Sequence, residues 1–237
     1  MQNDWQKIWN KREDRFDEID LNDEESVFME LKRLDGFDLK GGITYQAWIT
    51  ELEHWKNKLQ IPANGSIFEV GCGSGANLYK LHRNGFEVGG LDYSSKLLDL
   101  LRKILNPEDL RELICDEAIN LPTEIQYDAL ISFSVFEYFS SLEYARNVLE
   151  KMSLKSRKTI AVFDIYDESK REDFFELRRS MQKDYDERYK NLPKQFYPRK
   201  FFEDFASEHG FSIEFEPSTL EGYWNNDFIF HCYLYRN

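Results

Sequence analysis

Apolar positions along this chain recur with two different periods, and the change falls near residue 65. Before it the spacing is helical. Trp5, Ile8 and Trp9 share one face, and "DEESVFMELKRL" opens on acids suited to a helix N-terminus. After a break at Gly41-Gly42, Trp48, Leu52, Trp55 and Leu59 form a stripe at helical spacing. These tryptophans read first as core residues. From Ser66 onward, short apolar runs alternate with amphipathic stretches. "SIFEV", "FEVGGLD", "RELIC", "YDALISFSV" and "KTIAVFDI" read as strands. Between them, "ANLYKLHRNG" reads as a helix ending at Gly85, "SSKLLDLLRKIL" as one capped by Ser94 or Ser95, and "LEYARNVLEKM" as a third.

Strands that alternate with helices imply a parallel sheet with right-handed crossovers. The end of the chain breaks that rule. "YPRKFFEDFASEHG" reads as a helix, but "FSIEFEP" and "NDFIFHCYLYRN" are strands with too little chain between them for a crossover helix. They should pair antiparallel at one edge of a mixed sheet of about seven strands. The expected organisation is an N-terminal helical cap over residues 1–60 and one α/β domain over 61–237, with helices on both sheet faces and a charged helical insertion over 166–198. That insertion, with pairs such as Asp167 and Arg171, is either a solvated helical face or a lid over a binding site.

Composition narrows the function. The 237 residues are 41% hydrophobic and 16% aromatic, enough for a sizeable core. A formal net charge of -13 argues against a nucleic-acid backbone as main partner. Cys72, Cys115 and Cys232 are scattered and odd in number, and the four histidines show no ligand spacing, so free thiols, a reducing cytoplasm and no metal are expected. The opening is polar and charged, unlike a signal peptide, and no apolar run approaches a bilayer's thickness, so no membrane partner is expected.

The chemistry centres on "FEVGCGSGANL". Gly71, Gly73 and Gly75 join the first strand to a helix, where free N–H groups and close backbone approach favour a ligand. The spacing admits a dinucleotide, another cofactor or a plain tight turn. Two acids weigh toward a nucleoside. Glu69 ends the first strand, and Asp92 ends the second, about twenty residues past the glycines, where an acid reaches ribose hydroxyls.

This loop, followed by "GFEVGGLDYSSKLLDLL", "CDEAINLP" and "YDALISFSVFEYF", resembles the motif series of class I S-adenosylmethionine-dependent methyltransferases. The resemblance covers roughly Gly65 to Ile165, and it implies a Rossmann-like fold, S-adenosyl-L-methionine as cofactor and S-adenosyl-L-homocysteine as product. It places Glu69, Gly71 and Gly73 at the cofactor's amino-acid end, counts Cys72 and Asn77 among the cofactor-binding residues, and has Gly75 admitting the helix. Asp92 takes the ribose, Tyr93 flanks the adenine, and Asp116 accepts from the adenine amino group, with Glu117 the alternative in the next register and Ala118 following. Ser134 faces the methyl-transfer centre.

Where many members of that family carry Glu-His, this chain reads Phe136-Glu137-Tyr138, and it lacks Asn/Asp-Pro-Pro-Tyr. Both departures point to a small-molecule acceptor methylated on oxygen or nitrogen. Candidate bases are Glu137, Tyr138, His54 and His231, the last read first as a packed strand residue. Tyr45, Tyr197 and Arg199 are the candidate acceptor contacts. Two alternatives stand beside this reading. One is a nicotinamide-dependent oxidoreductase, for which Tyr166 and Lys170 have the Tyr-x-x-x-Lys spacing. The other is a non-catalytic protein that keeps the cofactor fold.

Overall fold

The computed structural model describes residues 4–37, 42–192 and 194–237. Gly41, half of the expected break, lies outside them. Among the described residues the chain forms one seven-stranded sheet: β1 (Ser66–Val70), β2 (Glu87–Asp92), β3 (Leu110–Cys115), β4 (Tyr127–Phe133), β5 (Ser156–Tyr166), β6 (Phe211–Pro217) and β7 (Ile229–Arg236). Their order is β3-β2-β1-β4-β5-β7-β6. All pairs from β3 to β5 are parallel, and β7 runs antiparallel to both β5 and β6. The expected terminal hairpin is present, with β6 outermost.

Alternation along the strands divides the core into two layers. Ile67 of β1 joins one cluster with Phe28, Leu31, Trp48, Trp55, Leu78 and Leu98, whereas its neighbour Phe68 joins Val148, Met152, Phe202 and Phe205 on the other face. The first layer is built by α2 (Glu24–Leu34), α3 (Tyr45–Lys58), α4 (Ala76–Arg83) and α5 (Ser95–Leu101), and the second by α6 (Leu142–Lys155) and α9 (Arg199–His209). Caps set several starts: the Asp23 side chain accepts from the Ser26 N–H, Thr44 from Ala47, Ser94 from Leu97 and Ser141 from Tyr144.

The segment expected as a cap therefore divides in two. α2 and α3 complete a sheet face, so Trp48 and Trp55 are core as read, while the short α1 (Asp4–Trp9) lies over the sheet's carboxyl edge. The insertion holds α7 (Arg171–Met181) and α8 (Tyr185–Tyr189), with Phe174 and Phe196 packed on Tyr166. α9 starts two residues later than the pattern predicts. Pro198 restricts its predecessor to extended backbone, and Tyr197 instead pairs with the strand end, its N–H donating to the Tyr166 carbonyl at 2.8 Å.

Candidate functional site

The strand order reverses between β1 and β4, and the loops leaving those two strands open a crevice there. A cavity of about 970 Å³ fills it. The turn after β1 carries Gly71 at φ 76° and Gly73 at φ 54°. A Cβ on Gly71 would stand 2.3 Å from Val135, and one on Gly73 would stand 2.4 Å from the Asp35 carboxylate. These glycines let the protein's own loops close on the turn, and the ligand's space lies beside them. Gly75 caps α4 and packs on Leu101, away from the cavity.

Three acids converge on this turn. Asp92 is buried, and its carboxylate accepts the N–H of Gly73 at 2.9 Å and of Ser94 at 2.8 Å. Burial pushes it up to about 6, against the pull of those N–H groups. Asp35, which the sequence reading missed, accepts the Ser74 N–H at 2.7 Å and is raised to about 6 by burial. Glu69 accepts from Asn77 Nδ2 at 2.7 Å, and its other oxygen is buried without a partner. The Asn77 carbonyl oxygen accepts in turn from Lys32 Nζ at 2.9 Å. Lys32 is 1% exposed, with its ammonium 3.9 Å from the ring centre of Trp48 and 4.7 Å from that of Phe133. Burial pulls Lys32 down and drives Glu69 up. A single relay thus links a caged ammonium to the acid beneath the turn.

The other predicted cofactor positions, Cys72, Tyr93, Asp116, Glu117, Ala118 and Ser134, all line the same cavity. The Asp116 side chain accepts from the Glu117 N–H at 2.7 Å and from Asn120 at 2.8 Å, and Glu117 accepts from the Tyr144 hydroxyl at 3.1 Å. α1 forms a roof. Trp5 and Trp9 set their rings 4.7 and 5.9 Å from Tyr138, and Gln6 donates to the Tyr93 carbonyl at 2.8 Å. These two tryptophans are cavity walls.

Beyond Ser134 the cavity holds a second polar cluster. Ser134 and Asp164 both adopt positive φ, 53° and 60°, a strained choice that clusters at functional sites. Asp164 is 1% exposed and accepts from the hydroxyls of Ser134 and Tyr223, the latter at 2.9 Å. Glu137, 2% exposed, lies 3.7 Å from Lys194 Nζ and keeps its Oε2 buried without a partner. Burial raises both carboxylates and lowers Lys194. Glu137 and Tyr138 line the cavity as expected, and Asp164, Lys194 and Tyr223 are additions.

Five expectations are corrected. His54 is exposed on α3 and bonded to Glu216 at 2.8 Å, on a side of the helix that leaves the cavity. Tyr45 donates to Glu24 at 3.0 Å beside Lys80, drawn there by the α2–α4 contact. Tyr197 is fully buried, its hydroxyl donating to the Phe136 carbonyl at 2.7 Å. Arg199 is exposed over the rings of Phe215 and Phe230, with Asp167 at 3.6 Å. Tyr166 and Lys170 do not form a catalytic pair: Tyr166 accepts from Asn225 at the end of β5, while Lys170 faces Asp173 at 3.8 Å on the surface. His231 stays off the cavity, its Nδ1 accepting the Asp164 N–H at 3.2 Å, as a packed strand residue should. Among the described residues, no cluster of His, Cys, Asp or Glu could hold a metal, and no helix is long and apolar enough to cross a membrane.

Part of the chain is similar to known proteins. Residues 67–154 match the family described as "Methyltransferase domain". That stretch, which runs from β1 through α6, is similar to a methyltransferase domain. It holds the glycine turn, Asp92, Asp116 and Glu137. The human EEF1A lysine methyltransferase 2 is 32% identical over 92 residues, which cover 35% of this chain and 39% of that protein. A malonyl-[acyl-carrier protein] O-methyltransferase of Priestia megaterium is 38% identical over 80 residues, covering 32% of this chain and 28% of that one. The chain spans less than half the length of the curated relatives it matches. The fold extends further than the sequence match. Magnesium protoporphyrin IX methyltransferase from Synechocystis, solved with bound SAH, superimposes with a TM-score of 0.59 at 13% identity, over 98% of this chain and 92% of that one. The matched stretch therefore sits in a fold shared with that structure, which takes in nearly all of this chain.

Proposed function

We propose that this chain transfers a methyl group from S-adenosylmethionine to an oxygen or nitrogen atom of a small-molecule acceptor. The observation that carries this reading is Glu69: a buried acid beneath the glycine turn with one oxygen on Asn77 and the other unpartnered. A buried acceptor left without a donor costs about 1–3 kcal/mol, and the ammonium of the cofactor's methionine end supplies that donor. Asp92 spends one lone pair per oxygen on the turn and keeps the rest for two ribose hydroxyls. Tyr93 would flank the adenine, and Asp116 or Glu117 would accept from its amino group. A pyrophosphate fits badly, because it would set negative charge against Glu69, Asp92 and Asp35 at once.

Bound adenosylmethionine supplies a methyl group already activated on a sulfonium. The protein's part is then alignment in a water-poor space, where positioning lowers the barrier by several kcal/mol. Trp5 and Trp9 roof the crevice, Lys32 and Asn77 hold Glu69 in place, and Val135 closes on the turn. Isothermal calorimetry tests the reading: adenosylmethionine and adenosylhomocysteine should both bind, and NAD(H) and NADP(H) should give no heat. Binding of a nicotinamide nucleotide alone would overturn it.

A further inference from the structure

Apart from Ser134, the second polar cluster of the cavity serves no part of the cofactor reading. One of its two acids, Glu137, lies two residues past Val135, whose side chain covers Gly71 of the cofactor turn. Glu137 lines the cavity, and its Oε2 is buried without a partner. Its ion-pair partner among the described residues is Lys194, which arrives from the insertion between α8 and α9. The Lys194 ammonium lies 4.6 Å from the ring centre of Tyr166, 5.1 Å from that of Tyr138 and 5.8 Å from that of Trp5. Three electron-rich faces and a buried carboxylate make a box suited to an ammonium group. The ion pair at 3.7 Å is long, and it satisfies only one side of Glu137. Lys194 therefore occupies the box without completing it.

Building on the methyl-transfer reading, we propose that the acceptor is an amine, that its ammonium binds between Glu137 and the rings of Trp5, Tyr138 and Tyr166, and that it displaces Lys194 on entry. The proton count closes without another reactant. The bound ammonium gives one proton to the Glu137 carboxylate, and the freed nitrogen lone pair forms the N–C bond. The methyl–sulfur bond breaks with its electron pair going to sulfur, which leaves a thioether and a methylated ammonium. Asp164, satisfied by the hydroxyls of Ser134 and Tyr223, forms another wall of the cavity.

The test is calorimetry with benzylammonium and its neutral counterpart benzyl alcohol, each titrated with and without saturating adenosylhomocysteine. Lys194→Ala empties the box, so it should bind benzylammonium about tenfold more tightly than the wild-type chain, and Glu137→Gln should bind it about tenfold more weakly. Benzyl alcohol should change by less than about twofold in either variant, because it gains nothing from the carboxylate. Equal responses of the two probes, or a Lys194→Ala affinity no better than wild type, would overturn the proposal. If Lys194→Ala fails to fold, the Glu137→Gln comparison alone decides. Absence of heat from adenosylhomocysteine would refute the methyl-transfer reading separately, while the arm without it still measures the ammonium box.

Discussion

Replacing Asp92 with asparagine is expected to weaken adenosylhomocysteine binding at least about tenfold. Each hydrogen bond from a ribose hydroxyl to a charged carboxylate is worth about 1.5–3 kcal/mol, and a tenfold loss corresponds to about 1.4 kcal/mol. Asparagine keeps the shape but offers one acceptor where the carboxylate offered two, and it turns a donor toward the Gly73 or Ser94 N–H. The wild-type affinity should also depend on pH. Asp92 titrates near 6, so binding falls as the pH drops through that value, and the Asp92→Asn profile loses this component. Asp35 titrates in the same range on the same turn, and Asp35→Asn separates its contribution. Stability moves the other way. A carboxyl held above its ordinary value favours the folded state most when protonated, so its contribution is full below the usual carboxylate range and is lost as pH rises through about 6. Calorimetry and thermal melts on either side of that value check both signs. An Asp92→Asn protein that binds as well as wild type would refute the ribose assignment.

Lys32→Met should be the most damaging single change to the fold outside the apolar core. The ammonium is enclosed by aromatic rings and reaches Glu69 only through Asn77. Removing one partner of a buried charge arrangement costs about 3–5 kcal/mol, and the low end applies because Asn77 stands between. For a chain of this size, about 3 kcal/mol lowers the melting temperature by roughly 6–12 °C. The penalty comes from stranding Glu69, so Glu69→Gln in the Lys32→Met background should recover part of it. A thermal melt of the two single variants and the double variant measures this directly. A neutral or stabilising Lys32→Met would show that the cage holds no working charge.

The central strands were legible because they are buried on both faces and read as mostly apolar runs, as in "SIFEV" and "YDALISF". The glycine turn, Asp92 and Glu137 were legible because they sit at strand ends, where periodicity stops and chemistry starts. Lys32 and Asp35 left a readable trace: spaced four and seven residues after Phe28, they continue the apolar face of α2 through its C-cap, where charges need a reason. Asp164 left another, an acid inside the apolar run "AVFDIY". Lys194 left none, since only the path of the insertion brings it to Glu137. Tyr45, Tyr197 and Arg199 were misplaced for the same reason: their positions depend on long-range packing of α2, α4 and β7 that no local pattern encodes.

The most direct test is a crystal structure of the chain with adenosylhomocysteine. The account predicts the ribose hydroxyls on the Asp92 carboxylate, the amino group on Glu69 Oε2, and the sulfur turned toward Ser134 and Glu137. An adenosine bound elsewhere, or a ribose out of hydrogen-bonding reach of Asp92, would contradict it.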